Sequence, residues 1–221
     1  MTKTSAQKES ALFLHQVELG PMQNFVYLIG CEKTREAAVV DPAWDVPTIL
    51  QIAKTHQFEI KTILLTHTHF DHINGVEELL KGTDARVFVH KKEAASLRYG
   101  GGNIKKIESG DAVKVGDLDI TFIHTPGHTP GSQCFSVGDR LITGDTLFIN
   151  GCGRCDLPGG NPEEMYHSLT GTLKRLDDHT KVYPGHHYAD VPVSTLGDEK
   201  RQNPYLMSGS VEGFLRLTMG R

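Results

Sequence analysis

Residues 66–72, THTHFDH, place three histidines and one aspartate within seven positions. In an extended segment, residues two positions apart point to the same side of the chain. His67 and His69 therefore face one point in space, and Asp71 continues their row. His72 follows Asp71 directly, where the chain turns towards a predicted helix, and can face a different point. This pattern favours two neighbouring metal sites over a surface loop or an apolar core.

Three further segments supply candidate ligands of the same chemical type. His128 lies in TPGHTPGS, Asp145 ends LITGD, and His186 lies in VYPGHH. Each of them follows an apolar run that is typical of a strand, and ligand sites in sheet proteins gather at strand ends. We therefore expect the four segments to meet at one edge of the fold.

One arrangement uses all seven groups as ligands of two divalent metal ions. A carboxylate can bridge two cations, because it has two oxygens. Nitrogen and oxygen ligands without thiolate suit zinc, iron or manganese, and we expect Zn²⁺, with Fe or Mn as the alternatives. The first predicted site has His67, His69 and His128, the second has Asp71, His72 and His186, and Asp145 bridges them.

The composition is that of a globular protein and disfavours several other classes. Of 221 residues, 38% are hydrophobic and 23% are charged. The net charge of −4, without a basic block, argues against a nucleic-acid partner. The N-terminus MTKTSAQKES is polar and resembles neither a signal peptide nor a membrane span, so we expect a cytoplasmic protein without a membrane partner. We predict that residues 1–10 are flexible and that residues 11–221 form a single domain.

Apolar patterning predicts an alternation of strands and helices. Helices are predicted over residues 46–56, 74–82 and 162–177, and in the tail from residue 211. The strict βαβ cadence of a doubly wound sheet is missing, and two mixed sheets covered by helices fit the pattern. Strands are predicted in ALFLHQVEL, QNFVYLIG, EAAVVD, KTILL, RVFVH, LDITFIH, RLITGD and KVYPGHH.

The candidate ligands resemble those of the metallo-β-lactamase superfamily. THTHFDH matches its H-x-H-x-D-H motif, and His128, Asp145 and His186 follow in the order typical of that family. The resemblance extends over residues 16–206. It implies an α/β fold of the αβ/βα type, which is a four-layer sandwich of two mixed sheets flanked by helices, with the metal ions at one edge.

Two segments are similar to the glyoxalase II (hydroxyacylglutathione hydrolase) branch of that superfamily. GDTLFINGCGR at residues 144–154 is similar to its segment after the bridging aspartate, and STLGDEKRQNPYL at residues 194–206 to the stretch leading into its Asn-Pro signature. This resemblance implies that Arg154 and Tyr188 contact glutathione. Full-length glyoxalase II has a helical C-terminal domain, for which we expect no counterpart here. YHSL at residues 166–169 is similar instead to persulfide dioxygenases.

These implications lead to one functional hypothesis and its rivals. In the first, the protein is a metal-dependent hydrolase in which a metal-bridging hydroxide attacks a thioester of the hydroxyacylglutathione type. Asp71 and Asp145 are its catalytic carboxylates, and its small-molecule substrate is a glutathione or other thiol conjugate. In the second, His67, His128 and Asp145 bind a single iron in a persulfide dioxygenase that acts on glutathione persulfide. A binding protein that retains the metals without turnover is a third alternative, and the sequence leaves the oligomeric state open.

Overall fold

Two six-stranded sheets and the helices that cover them form the fold. The computed structural model of the protein describes residues 12–98 and 101–220. The segment predicted to be flexible, residues 1–10, lies outside the described residues, and the single domain over residues 11–221 stays a prediction. No helix in the described part of the chain is both long enough and apolar enough to span a membrane.

The first sheet is mixed, and its strands lie side by side in chain order. They are β1 (Leu12–Leu19), β2 (Asn24–Cys31), β3 (Glu36–Val40), β4 (Glu59–Leu64), β5 (Arg86–His90) and β6 (Ile104–Ile107). Neighbouring strands from β1 to β3 are antiparallel, and those from β3 to β6 are parallel. The parallel half carries the motif THTHFDH directly after β4.

The second sheet is mixed as well, and a small hairpin interrupts its chain order. Its strands and the hairpin are β7 (Ala112–Val115), β8 (Leu118–His124), β9 (Gln133–Val137), β10 (Arg140–Gly144), β11 (Leu147–Phe148), β12 (Gly151–Cys152), β13 (Lys181–Pro184) and β14 (Ser194–Thr195). The sheet order is β14-β13-β10-β9-β8-β7, while β11 and β12 pair only with each other. Within this sheet only β10 and β13 are parallel among the neighbouring strands described.

Helices cover the outer faces of both sheets. They are α1 (Val46–Thr55), α2 (Phe70–Ile73), α3 (Val76–Lys81), α4 (Pro162–His167), α5 (Leu196–Gln202) and α6 (Val211–Met219). Local sequence explains where the longer ones begin. The Asp45 carboxylate accepts a hydrogen bond from the Thr48 N–H at 3.0 Å and caps α1. Asn161 caps α4 in the same way, and Pro162 follows in the first turn, where a missing N–H is tolerated.

The structure corrects several predicted elements. The helix predicted over residues 162–177 is α-helical only over Pro162–His167 and continues as a π turn and a 3₁₀ turn to Arg175. The helix predicted over residues 74–82 is Val76–Lys81, and the separate helix Phe70–Ile73 precedes it. Six of the described strands were not predicted. In β6 (IKKI), β7 (AVKV) and β9 (QCFSV) polar residues interrupt a short apolar run, and β11, β12 and β14 have only two residues each.

Side chains along β2 point alternately to the two faces of the first sheet, and their contacts show how the four layers are held together. Phe25, Tyr27 and Ile29 belong to the apolar cluster between the sheets, whereas Val26 and Leu28 belong to the cluster beneath α1 and α3. Every residue of β2 is therefore buried, as expected for a strand covered on both faces. A third apolar cluster packs α4 and α6 against the outer face of the second sheet.

Backbone hydrogen bonds join the two sheets at one edge. The Phe25 N–H donates to the Gly185 carbonyl at 2.8 Å, and the Gln133 N–H donates to the Thr66 carbonyl at 3.0 Å. The Gln133 side-chain amide also donates to the Leu65 carbonyl at 2.8 Å. These bonds bring the loop after β4 close to strands of the second sheet.

Replacing Phe122 with Ala should lower the free energy of unfolding by about 3–5 kcal/mol, because its ring is buried between the sheets and its loss leaves a cavity. Denaturant unfolding followed by circular dichroism measures the change. The matched control is Met207→Ala, whose side chain is exposed and whose loss should change stability by less than about 0.5 kcal/mol. Equal effects of the two substitutions would contradict this assignment of the core.

Candidate metal centre

The ligand-bearing segments leave the sheets at neighbouring strand ends. Asp41 follows β3 and His67 follows β4, which are parallel neighbours in the first sheet. Asp145 follows β10 and His186 follows β13, which are parallel neighbours in the second sheet. Because parallel neighbours end at the same edge, the loops after them meet there. His128, in the loop after β8, reaches the same place.

The motif is extended at its start and helical at its end. His69 has φ −64° and ψ 147° and directly precedes α2, which begins at Phe70. Asp71 and His72 lie within α2 and are buried. The prediction that Asp71 continues the extended row of His67 and His69 is therefore wrong, because the helix begins one residue before Asp71. Asp71 and His72 instead lie together with His186.

The first predicted triad is brought together. The ring nitrogens of His67, His69 and His128 lie within 4.8 Å of one another. His69 Nδ1 is 2.8 Å from His128 Nε2. Three imidazoles at this separation form a nitrogen-lined cradle of the kind that transition-metal ions occupy.

The second predicted triad is brought together as well. One ligand atom from each of Asp71, His72 and His186 lies within 4.8 Å of the other two. His72 Nε2 is 3.2 Å from His186 Nε2, and Asp71 Oδ2 is 3.4 Å from both of these nitrogens. The set combines two nitrogens with one carboxylate oxygen.

Asp145 lies between the two triads. Its Oδ1 is 3.4 Å from His72 Nε2, and its Oδ2 is 3.4 Å from His186 Nε2 and 3.5 Å from His128 Nε2. The position requires a glycine at residue 185, because a Cβ on Gly185 would collide with Asp145 Oδ1. The carboxylate oxygens thus lie within 3.5 Å of nitrogens from both triads, and the bridging of two ions by Asp145 stays a prediction.

Outer hydrogen bonds fix the orientation of three imidazoles. His128 Nδ1–H donates to the Arg154 carbonyl at 2.7 Å, and His186 Nδ1–H donates to the Met22 carbonyl at 2.8 Å. A carbonyl only accepts, so each of these rings carries its proton on Nδ1 and presents Nε2 to the centre. Asp41 Oδ2 orients the His72 ring in the same way, because it lies 3.0 Å from His72 Nδ1.

Asp41 is a positioning residue that the sequence analysis missed. Besides His72, its carboxylate accepts hydrogen bonds from the Thr66 N–H at 2.8 Å and the Thr66 hydroxyl at 2.6 Å. It thereby fixes the residue that precedes His67. The signal was present in EAAVVD, where an aspartate ends a strand just as Asp145 does.

Asn24 is a second positioning residue without a sequence signal. Its Nδ2 donates to Asp71 Oδ2 at 2.9 Å, and its Oδ1 accepts from the Trp44 indole N–H at 2.8 Å. The Trp44 backbone N–H in turn donates to Asn74 Oδ1 at 2.6 Å. The chain thus connects Asp71 to the ring of the only tryptophan in the protein.

Burial and mutual charge set the protonation of the cluster. Burial lowers the pKa of His67 well below its ordinary value, and His72 lowers it further, so the His67 ring is neutral. Burial also lowers the pKa of His72, but the carboxylates of Asp145 and Asp41 outweigh it and raise that pKa well above its ordinary value. Burial raises the pKa of Asp145, but His72 and His186 outweigh it and hold that pKa well below its ordinary value. The centre therefore contains a buried, ionised carboxylate that attracts positive charge.

Two buried atoms in the cluster have no hydrogen-bond partner. They are His67 Nε2 and Asp145 Oδ1. An unsatisfied buried polar atom costs about 1–3 kcal/mol. Both are lone-pair donors in a cradle of nitrogen and oxygen atoms, so a divalent cation would satisfy them where a hydrogen-bond donor does not. The residues present therefore fit a metal ion.

A separate network ties the two loops of the first triad together. The buried Glu93 carboxylate accepts from the hydroxyl of Thr68, between the first two histidines, and from the Gly131 N–H at 2.8 Å. His90 lies beside Glu93 and stacks on His124, with ring centroids 4.1 Å apart and planes 5° apart. Burial, with His124 adding to it, lowers the pKa of His90 to about 4.

The two residues predicted to bind glutathione are placed differently. The Tyr188 ring stacks on the His186 ring, with centroids 4.6 Å and planes 11° apart, and is 55% exposed. Arg154 contacts the cluster through its carbonyl, whereas its guanidinium makes two hydrogen bonds to Asp156 at 2.9 and 2.8 Å. The structure thus places Tyr188 beside the cluster and gives the Arg154 side chain an acidic partner.

Comparison with known proteins identifies relatives over most of the chain. Residues 19–186 match the family described as the metallo-beta-lactamase superfamily. The Bacillus subtilis (strain 168) protein named probable polyketide biosynthesis zinc-dependent hydrolase PksB is 33% identical over 87% of this chain and 86% of its own length. A hydroxyacylglutathione hydrolase of Nitrosococcus oceani is 35% identical over 84% of this chain and 70% of its own. The human mitochondrial persulfide dioxygenase ETHE1 is 33% identical over 87% and 75%.

Solved structures confirm the predicted αβ/βα sandwich. ETHE1 from Myxococcus xanthus superimposes with a TM-score of 0.87 and 36% identity, covering 94% of this chain and 90% of that chain. TTHA1623, solved in a di-iron-bound form, superimposes with a TM-score of 0.73 and 31% identity, covering 86% and 99%. The side-chain clusters and these relatives together support the binding of divalent metal.

Replacing Asp145 with Ala should weaken binding at both triads by more than about 100-fold, because its carboxylate lies between them. Competition with a chromophoric chelator measures the Zn²⁺ affinity of the metal-free protein. The control is Asp156→Ala, which removes an exposed carboxylate from the neighbouring loop and should leave Zn²⁺ affinity unchanged. An Asp145→Ala protein that binds two ions tightly would exclude this bridging position.

His90 should make the protein less stable as the pH falls from about 6.5 to 4. Its folded-state pKa of about 4 lies below the unfolded value of 6.5, so within this window the unfolded chain binds more protons. The contribution of His90 to stability is complete above pH 6.5 and is lost as the pH falls towards 4. Denaturant unfolding of the metal-free protein, compared with His90→Gln, should show a shallower pH dependence in the variant. Parallel curves would contradict the lowered pKa.

Proposed function

Because this chain belongs to the metallo-β-lactamase superfamily, we propose that it is a metal-dependent hydrolase that cleaves thioesters of the hydroxyacylglutathione type. The observation that carries the proposal is the position of Asp145 between two complete triads. A centre for two ions needs one group that both can share, and this carboxylate has its oxygens within 3.5 Å of nitrogens from each triad.

The seven side chains would hold two divalent ions, with zinc preferred on the chemistry of the ligands. When bound, such ions lower the pKa of water to near neutrality and polarise a carbonyl group. In the proposed assignment His67, His69 and His128 hold the first ion, Asp71, His72 and His186 hold the second, and Asp145 serves both.

The residues of the chain orient and tune this centre. Asp41, Asn24 and the carbonyls of Met22 and Arg154 hold the ligands from outside, so that few rearrangements are needed when a substrate binds. Asp145, whose pKa is well below its ordinary value, is ionised and has no proton to donate to a leaving group.

A thioester suits a site of this kind. Its leaving thiolate has a conjugate acid with a pKa of about 8.5, so it departs without a dedicated proton donor. An amine or alkoxide leaving group would need one. Relatives over most of the chain that are named zinc-dependent hydrolase and hydroxyacylglutathione hydrolase support this reading, and we expect the enzyme to act in the cytoplasm.

A persulfide dioxygenase is the second candidate. It is favoured by the superposition on ETHE1 from Myxococcus xanthus and by the identity to the human persulfide dioxygenase of that name. His67, His128 and Asp145 would then form a two-histidine, one-carboxylate site for a single iron. In that case Asp71 and His72 have no metal to bind, and neither do His69 and His186.

His186→Ala separates the two candidates. Protein purified without added metal is analysed for metal per chain, for thiol release from S-lactoylglutathione and for oxygen uptake with glutathione persulfide. We expect two ions per chain and thiol release that falls by more than about 100-fold in the variant, because the second ion loses a ligand.

One iron per chain, with oxygen uptake that survives His186→Ala and no thiol release, would instead establish the dioxygenase. His179→Ala, which removes a histidine from a surface turn, controls for a general effect of substitution.

A further inference from the structure

Large apolar side chains are exposed around the metal centre. In the described part of the chain, Met22 is 45% exposed, Phe70 71% and Tyr188 55%. Each is next to a candidate ligand in sequence or in space. The Met22 carbonyl holds His186, Phe70 precedes Asp71, and Tyr188 stacks on His186. We call these three side chains the apolar rim; exposed apolar groups around a polar centre are typical of a ligand site.

Phe70 is the most exposed of the three and is held in a defined position. It is the first residue of α2, and its ring meets the Trp44 ring edge to face at a centroid distance of 6.1 Å. Trp44 is anchored in turn by its hydrogen bond to Asn24, which also holds Asp71. One chain of contacts therefore links Phe70 to the second triad.

Tyr188 is the residue of the apolar rim that contacts His186 directly. Its ring lies flat on His186 and meets Phe148 edge to face at 5.5 Å. Phe148 also meets His186 edge to face, at 5.8 Å. Aromatic faces close to the candidate ligands favour an apolar group beside the reacting carbonyl.

The cation implied to contact glutathione already has an acidic partner. The Arg154 guanidinium pairs with Asp156. An anionic thiol carrier that binds Arg154 would have to displace this carboxylate. The apolar rim, in contrast, can contact an apolar group of a substrate without breaking an ion pair.

We infer that the apolar rim selects thioesters with an apolar acyl chain, which makes medium-chain acyl thioesters better substrates than the polar S-lactoyl thioester. The inference rests on the proposed thioester hydrolysis and changes the preferred acyl group from a hydroxyacyl group to a longer apolar one. In that reaction water supplies an oxygen to the acyl carbon and the carbon–sulfur bond breaks. The departing thiolate takes one proton of that water, and the other is released to solvent as the carboxylate product ionises. The rim contributes by removing the acyl chain from water as the carbonyl reaches the centre.

Chain length provides a direct measure of this selection. Full burial of one CH₂ group corresponds to a factor of up to about four, so partial burial on an exposed rim should give about twofold per CH₂. Six added CH₂ groups separate octanoyl from acetyl, and kcat/KM should rise by about 60-fold between them.

The experiment uses metal-loaded protein and acetyl, butyryl, hexanoyl and octanoyl thioesters of one neutral thiol, N-acetylcysteamine. The same acyl groups on glutathione, together with S-lactoylglutathione, separate the effect of the acyl group from that of the carrier. In Phe70→Ser the octanoyl-to-acetyl ratio of kcat/KM should fall by about tenfold. In Leu217→Ser, which removes an exposed apolar side chain from α6, the ratio should stay as in the parent protein.

Binding is measured independently of turnover through Trp44. Titration with S-octyl and S-methyl thioethers of N-acetylcysteamine, which have no carbonyl to hydrolyse, should change the fluorescence of this single tryptophan. The octyl compound should bind at least about tenfold more tightly, and Phe70→Ser should abolish the difference.

The outcomes distinguish the inference from the proposed function. Three results would contradict the role of the apolar rim while leaving the hydrolase intact. They are hydrolysis at a rate independent of chain length, a preference for S-lactoylglutathione over S-octanoylglutathione, and a length effect that Phe70→Ser leaves undiminished. Equal affinities for the S-octyl and S-methyl thioethers would contradict the inference as well. If none of the thioesters is hydrolysed on either carrier, both the function and the inference fail.

Discussion

The burial of one ionised carboxylate is the constraint on which this structure depends. Asp145 is 8% exposed, and removing a charge from water is costly unless opposite charge surrounds it. Here the imidazoles of His72 and His186 lower its pKa well below the ordinary value, and the remaining histidines complete the cradle. The centre thus places several imidazole nitrogens around one negatively charged carboxylate. A bound cation would interact favourably with all of these groups.

The architecture of the two sheets brings these ligands together. Each sheet contributes a parallel pair, β3 with β4 and β10 with β13, whose ends carry candidate ligands or the residues that hold them. Backbone bonds from Phe25 to Gly185 and from Gln133 to Thr66 join the pairs across the sandwich. A small displacement of one sheet would therefore move half of the centre relative to the other half, so the packing between the sheets is part of the site.

The surroundings of the centre, more than the ligands, decide which substrate it accepts. The same histidines and aspartates occur in a chain whose relatives are named hydrolase and dioxygenase, so ligand identity alone does not separate these chemistries. In this chain the surroundings include the exposed rings of Phe70 and Tyr188, the ion pair of Arg154 with Asp156 and the hydrogen bond from Asn24 to Asp71. We expect substrate specificity to depend on these residues.

Local spacing in the sequence by itself determined the kinds of candidate ligands, their order along the chain and most of the strands, because these depend on neighbours a few residues apart. The helix that begins at Phe70, within THTHFDH, was not predicted. Only the tertiary structure decided that Asp41 holds His72, that Asn24 holds Asp71 and that Glu93 ties Thr68 to Gly131. It also decided that the Arg154 side chain pairs with Asp156 while its carbonyl holds His128. Most of these partners are separated by about 25 to 50 residues or belong to different sheets. Such pairs meet only when apolar burial brings the layers together, and no local pattern records which polar groups then come within hydrogen-bonding distance.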